Sequence, residues 1–308
     1  MATEIETLNA AFAIGDLAKL VAGQGDLPRI QITTAAASAE IYLHGAQVTA
    51  WKPAGFEDII FTSEHSRWEE GKAIRGGIPV CFPWFRGKAD DPTAPAHGFV
   101  RTKSWALESI AQEDDSVCVT LATASDESTR HWWPHDFHLA LRIGVGAQLK
   151  LELIVSNTGA APFQFEEALH TYHRVGDVRR ASVAGLNGVS FLDNRDGNRE
   201  RLQHGDVVMV DATDNAYMNT TALLEIADPV LRRRIQIEKR NSLTTVAWNP
   251  WESGAKAMAD LGDNEWQQML CVEASNILSS AVILAPGEEH RIAATIAVIQ
   301  DGTEDRLR

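Results

Sequence analysis

Side chains able to do chemistry fall into a few short runs of this chain. The densest is Arg75-Gly76-Gly77-Ile78-Pro79-Val80-Cys81-Phe82-Pro83-Trp84-Phe85, followed by Ala96-His97-Gly98-Phe99-Val100-Arg101. Proline removes an amide donor and fixes φ, whereas glycine permits φ > 0 and lets a ligand approach the main chain closely. The run therefore reads as a stiff apolar loop rather than a helix. Around it, Arg75, His97 and Arg101 can meet an anionic or polyhydroxylated ligand. A buried turn with solvated arginines at its ends fits the same residues.

The acid–base candidates lie further on. Leu169-His170-Thr171-Tyr172-His173 ends a strand-like run, and Cys271-Val272-Glu273-Ala274 places a glutamate at the end of the apolar run Met269-Leu270-Cys271-Val272. Histidine titrates near neutrality and suits proton transfer. A carboxylate in apolar surroundings has a raised pKa and approaches a working base. Each also has a plainer reading, as a surface or core histidine and as a solvated glutamate just past a strand.

A metal site needs three or four converging donors. His170 and His173 cluster with Glu166 and Glu167, but H-x-x-H on a strand sends its rings to opposite faces, and no H-E-x-x-H or cysteine pair completes a site. No metal and no cofactor is expected. Trp248-Asn249-Pro250-Trp251 pairs two aromatic faces across a Pro-fixed turn, which core packing explains as well. Asp214, in Ala212-Thr213-Asp214-Asn215-Ala216-Tyr217, reads as a loop carboxylate of the kind that forms turns.

The elements that must position these groups are mostly strands. Residues 4–22 have loosely helical apolar spacing and predict one short amphipathic helix. After Gly23-Gln24-Gly25 the period becomes two, with short strand-like runs at 29–33, 40–43, 47–51, 117–122, 139–145, 149–155, 163–169, 223–227, 235–238, 244–248, 269–273, 281–284 and 292–299. Turn signals such as Asn157-Thr158-Gly159 and Ala285-Pro286-Gly287 separate them. Without βαβ alternation or a repeat, this pattern argues for an all-β antiparallel sandwich or barrel. The division expected is a helix and lead-in at 1–27 and one β domain at 28–308. Two stretches, 53–104 and 192–220, read as long irregular loops.

With 308 residues, 44% hydrophobic and 23% charged, the composition is that of an ordinary globular protein. A formal net charge of -14, with Arg232-Arg233-Arg234 as the only basic run, argues against nucleic-acid binding. Cys81, Cys118 and Cys271 have no C-x-x-C spacing and read as reduced core thiols. The acidic N-terminus lacks the pattern of a signal peptide, and no apolar window reaches membrane-span length. A cytoplasmic protein with no membrane partner is the expectation.

The same motifs, Arg75-Gly76-Gly77-Ile78-Pro79, Phe82-Pro83-Trp84-Phe85, His97-Gly98-Phe99-Val100-Arg101, His170-Thr171-Tyr172, Trp248-Asn249-Pro250-Trp251 and Glu273, occur in the order seen in the aldose 1-epimerase superfamily. Within it the chain resembles the hexose-6-phosphate branch, from about residue 28 to 299. The resemblance implies a galactose-mutarotase-like antiparallel β-supersandwich, with a short helix ahead of it. It implies interconversion of α and β hexose 6-phosphate anomers, glucose 6-phosphate first among them, by a monomer. His170 and Glu273 would be the catalytic pair: the glutamate takes the anomeric hydroxyl proton while the histidine protonates the ring oxygen. Arg75 and Arg101 would hold phosphate, His97 and Asp214 would contact the sugar, and Trp84 and Trp251, with Arg86, could line the pocket. Ala96 stands where relatives can have Gln, Arg86 where Gly is common, and His173 where an aromatic residue is often seen. The same residues also suit a mutarotase for unphosphorylated aldoses, or a sugar-phosphate-binding protein without turnover.

Overall fold

The computed structural model describes residues 2–302. Nearly every β-like run forms a strand, and every strand pairing is antiparallel. A nine-stranded sheet runs in the order Val207–Val208, Ser182–Ala184, Leu224–Asp228, Arg233–Arg240, Glu289–Gln300, Leu149–Asn157, Phe137–Val145, Ser116–Ala124 and Ala106–Glu113. Along Leu149–Asn157 burial alternates, with Leu149, Leu151, Leu153 and Val155 inside. A period of two buries one face of a sheet and leaves the other to solvent.

The second large sheet has eight strands. They are labelled here β1 (Val80–Cys81), β2 (Glu167–Leu169), β3 (Tyr172–Arg174), β4 (Ser190–Asp193), β5 (Arg199–Leu202), β6 (Thr213–Tyr217), β7 (Thr244–Asn249) and β8 (Met269–Asn276). Their order is β5-β4-β6-β7-β8-β2-β1, with β3 also pairing β8. Leu270, Val272, Ala274 and Ala247 of this sheet join the nine-stranded sheet in one apolar core. Residues one position away on the same strands face outward, and they carry the chemistry. A four-stranded sheet (18–53) and a small ribbon of Phe163–Phe165 with Val282–Leu284 complete the fold.

Several expectations change. The helix α1 covers Ala2–Phe12 only; Ala18–Ala22 is a strand paired with Pro28–Thr33. Asn9 joins the two, its side chain donating to the Leu20 carbonyl at 2.8 Å and accepting from the Leu20 amide at 2.7 Å. The 192–220 stretch contains β5, β6 and Val207–Val208. Polar residues there pair strands whose faces are half-solvated, so the apolar period is lost. Two short helices after residue 25, α2 (Glu127–Trp132) and α3 (Trp251–Ala257), were also not expected. The basic run is no cationic patch: Arg233 is buried and donates to the carbonyls of Glu57, Asp58 and Arg174. All three cysteines are free and buried. No helix among the described residues is long and apolar enough to cross a membrane.

Candidate active site

Register builds the site. Residues directly opposite in a ladder share a face. Asp214 on β6 opposes Trp248 on β7, Trp248 opposes Cys271 on β8, and Cys271 opposes Tyr172 on β3. One row further along, Ala216 opposes Val246, which opposes Glu273. These rows form the floor of a cleft of about 250 Å³ on the outer face of the eight-stranded sheet.

His170 completes the second row. β2 stops at Leu169 and β3 resumes at Tyr172; both pair with β8 in the same register, Leu169 against Ala274 and Tyr172 against Cys271. His170 therefore comes opposite Glu273, in the break. Its amide is held by the Pro79 carbonyl at 3.0 Å, and its Nε2 lies 3.4 Å from Glu273 Oε1. Glu273 is not at a strand end as its sequence context implied: it lies inside β8 and is 1% exposed. Neither of its carboxylate oxygens, nor His170 Nδ1, has a hydrogen-bond partner among the described residues. Burying such a group without partners is costly unless a ligand supplies them.

Electrostatics follow from that burial. Desolvation, then the nearby Asp214 carboxylate, raise the Glu273 pKa well above the usual range, opposed by Arg86. Desolvation, then Arg101 and Arg75, pull His170 down to about 3. The imidazole stacks on the Tyr172 ring, centroids 4.9 Å apart.

The Gly/Pro loop forms the rim. Gly77 accepts from the Tyr172 amide through its carbonyl at 3.0 Å, so the loop runs beside the His170 strand break. Gly98, at φ +72, leaves room for a Cβ only 1.8 Å from the Phe82 carbonyl oxygen, so no larger residue fits without moving backbone. That close approach presents His97, itself at φ +64, to the cleft. His97 Nδ1 accepts from the Arg86 amide at 3.2 Å, which leaves Nε2 as the N–H facing the cleft. Glu166 pins the loop, accepting from the Phe85 amide at 2.8 Å and the Leu278 amide at 2.7 Å.

Three arginines line the cleft, in different states. Arg75 donates to both oxygens of Asp260 at 3.2 and 3.1 Å and to the Tyr172 hydroxyl at 3.1 Å. Arg86 pairs with Asp214 at 2.6 Å, and Asn194 donates to the other Asp214 oxygen at 2.6 Å. Arg101 donates to the Ala96 carbonyl at 2.9 Å; no carboxylate lies within ion-pair distance of it among the described residues. Its Nε is buried and unpartnered.

Thus His170, Glu273, Arg75, His97, Arg101, Asp214 and Arg86 converge. Trp84 and Trp251 do not. Trp84 donates to the Pro95 carbonyl at 2.9 Å within the core, and Trp251 packs on Trp266, centroids 4.5 Å apart. Phe85 and Trp248 line the cleft in their places. Trp84 and Phe85 are adjacent in a loop, and Trp248 lies on β7 while Trp251 begins α3, so the choice of lining residue is one of backbone path that composition does not encode. Asp214 sits on a strand rather than in a loop. Asp260, Asn194, Tyr172 and Met258 were not singled out; the first two carried no motif, and Tyr172 was visible only as part of His170-Thr171-Tyr172. His173, on β3 opposite Leu270, points to the far face, buried, with Nε2 3.4 Å from the Val272 carbonyl.

The sequence profile of the family described as Aldose 1-epimerase matches residues 28–296. The chain belongs to the aldose 1-epimerase family. A Salmonella typhimurium protein described as a candidate glucose-6-phosphate 1-epimerase is 36% identical over 275 residues, 89% of this chain and 91% of that one. A Salmonella typhimurium crystal structure described as that of a candidate mutarotase superposes with a TM-score of 0.88 at 32% identity, covering 96% of this chain and 99% of that one. A galactose mutarotase related enzyme from Lactobacillus acidophilus, at 14% identity, shares the fold with a TM-score of 0.71 over 91% of this chain and 100% of its own. The architecture is thus the galactose-mutarotase-like β-supersandwich, and the chain is an epimerase-type isomerase by family.

Proposed function

We propose that this aldose 1-epimerase interconverts the α and β anomers of a hexose 6-phosphate, glucose 6-phosphate being the leading candidate. One observation carries the reading. Glu273 is a fully buried carboxylate with neither oxygen partnered among the described residues, 3.4 Å from an imidazole, at the bottom of an arginine-rimmed cleft. In the proposed mechanism, Glu273 takes the proton from O1 and the O1–H electron pair becomes the second C1=O1 bond. The C1–O5 pair leaves to O5, which receives a proton from His170. Rotation about C1–C2 presents the other carbonyl face, and closure reverses the transfers. The His97 Nε2–H and the Asp214 carboxylate contact sugar hydroxyls.

The 6-phosphate falls to Arg101 and Arg75. Arg101 has no anionic partner among the described residues, and guanidinium forks match phosphate oxygens. The similarity to a protein described as a glucose-6-phosphate 1-epimerase supports this substrate class. All the groups come from one chain, so a monomer suffices. Three free buried cysteines agree with a reducing, cytoplasmic setting.

Saturation-transfer NMR on glucose 6-phosphate tests the reading. Anomer exchange should be much faster with protein than without it; equal rates would remove the enzyme claim, and equal efficiency on glucose would remove the phosphate.

A further inference from the structure

The two halves of the catalytic pair sit in different fields. His170 is flanked by Glu273 at 3.4 Å, the Tyr172 ring at 4.9 Å and the His97 ring at 5.3 Å, with the Cys271 thiol of the neighbouring row within 4.8 Å. Of the charged groups around the cleft, Arg101 and Arg75 act on His170, whereas Asp214 and Arg86 act on Glu273. Burial works first against a proton on the imidazole, and the two cations add to it. Arg75 is partly offset by Asp260 at 3.1 Å, whereas Arg101 has no carboxylate within ion-pair distance among the described residues. The Asp214–Arg86 pair, at 2.6 Å, largely cancels itself next to the carboxylate.

This creates a problem for the reaction. Ring opening needs an acid at O5, yet burial, Arg101 and Arg75 favour a neutral His170, and burial with Asp214 favours the proton on Glu273, 3.4 Å away. That is the reverse of what the first step requires. The remedy lies in where the phosphate goes. No carboxylate among the described residues lies within ion-pair distance of Arg101, and Arg75 reaches the histidine stack through its 3.1 Å bond to Tyr172.

We propose that the substrate's phosphate dianion is an activator as well as an anchor: seated on Arg101 and Arg75, it cancels the cationic field over His170 and moves the active-site proton from Glu273 to the imidazole. The carboxylate is then free to take the O1 proton, and the imidazolium to give one to O5. The inference rests on the hexose-phosphate reading above and adds that phosphate binding changes the chemical step. While the ambient pH lies above the pKa of an acid, each unit by which that pKa rises increases its protonated fraction about tenfold.

Cutting the substrate in two separates activation from anchoring. Wild-type enzyme is given D-xylose, an aldopentose without the phosphate-bearing carbon, and anomer exchange is followed as sodium phosphite is added. Activation predicts a rise in kcat for xylose of about tenfold or more, saturable in phosphite. Unchanged or competitively inhibited xylose turnover, in an enzyme that still turns over glucose 6-phosphate, would overturn the inference and leave the function standing. Absence of glucose 6-phosphate turnover would instead end the parent reading.

A variant gives a second reading in the opposite direction. Arg101→Gln should raise KM for glucose 6-phosphate, abolish the phosphite effect and speed turnover of unphosphorylated glucose, because part of the cationic field is gone. A pure anchor predicts no change with glucose. Nitrogen-15 NMR of the histidine rings, with 1,5-anhydroglucitol 6-phosphate as an unreactive ligand, should show His170 moving to the imidazolium form on binding. An imidazole that stays neutral in that complex would also sink the inference.

Discussion

The eight-stranded sheet carries two glutamate–histidine pairs, one on each face, and they are built to opposite standards. On the outer face Glu273 and His170 are 3.4 Å apart and the carboxylate has no hydrogen-bond partner among the described residues. On the inner face Glu167, on β2, meets His290 at 2.8 Å and accepts a 2.8 Å hydrogen bond from Asn276, the residue opposite it in the ladder. Both glutamates are buried. Three residues along β8 separate Glu273 from Asn276, and an odd step on a strand reverses the face. Glu167 Oε1 holds both of those partners while Oε2 has none among the described residues, and this pair ties β2, β8 and the Glu289–Gln300 strand together. At Glu273 neither oxygen is engaged among the described residues, which leaves the whole carboxylate to a ligand. Residue type does not distinguish a working pair from a structural one; the partners of each carboxylate do.

Glu273→Gln breaks this comparison most sharply. It should lower kcat by about 10²–10⁴-fold, since the base is gone. It should also stabilise the fold. A folded-state pKa raised above the unfolded value costs stability as pH rises through it, so the gain in melting temperature should be present at pH 8 and fade toward pH 5. A variant that loses stability at pH 8 would show that Glu273 is satisfied after all. Glu167→Gln should do the reverse. Breaking a buried, hydrogen-bonded acceptor should cost about 1–3 kcal/mol in urea unfolding while kcat stays at the wild-type level.

A smaller effect concerns His173, which like His170 is pulled down to about 3 by burial, but on the far face. Its folded pKa lies below the unfolded one. The unfolded chain therefore gains the proton first, and stability is lost as pH falls from about 6.5 toward the folded value. His173→Asn should flatten that loss by up to about 1.4 kcal/mol per pH unit, without shifting the pH profile of kcat. The least effect is expected at Asn9, far from both pairs. Asn9→Ala removes two hydrogen bonds to Leu20 and should cost about 1–2 kcal/mol in unfolding free energy, with turnover unchanged.

Legibility varied with the range of the interaction. The strands at 139–145, 149–155 and 292–299 were readable because alternation of apolar residues is a local consequence of burying one sheet face. The Ala18–Ala22 segment fits a helix as well as a strand in sequence, because the five residues AKLVA satisfy either period. Pairing with Pro28–Thr33 then decided it. Asp214 was assigned to a turn because Asp and Asn are turn formers, yet β4 and β7 on either side hold it in a strand.

By itself the sequence determined the class of fold, the stiffness of the 75–85 loop and the inventory of groups able to move protons or hold phosphate. Those follow from side-chain periodicity and from the backbone limits of Gly and Pro, which act over a few residues. Only the tertiary structure decided that His170 faces Glu273, that Asp260 and Asp214 each engage an arginine while Arg101 meets no carboxylate among the described residues, and that Phe85 and Trp248 rather than Trp84 and Trp251 line the cleft. The reason is physical: ladder register and hydrogen-bond completion join residues distant along the chain, and nothing in the neighbourhood of either partner specifies the other.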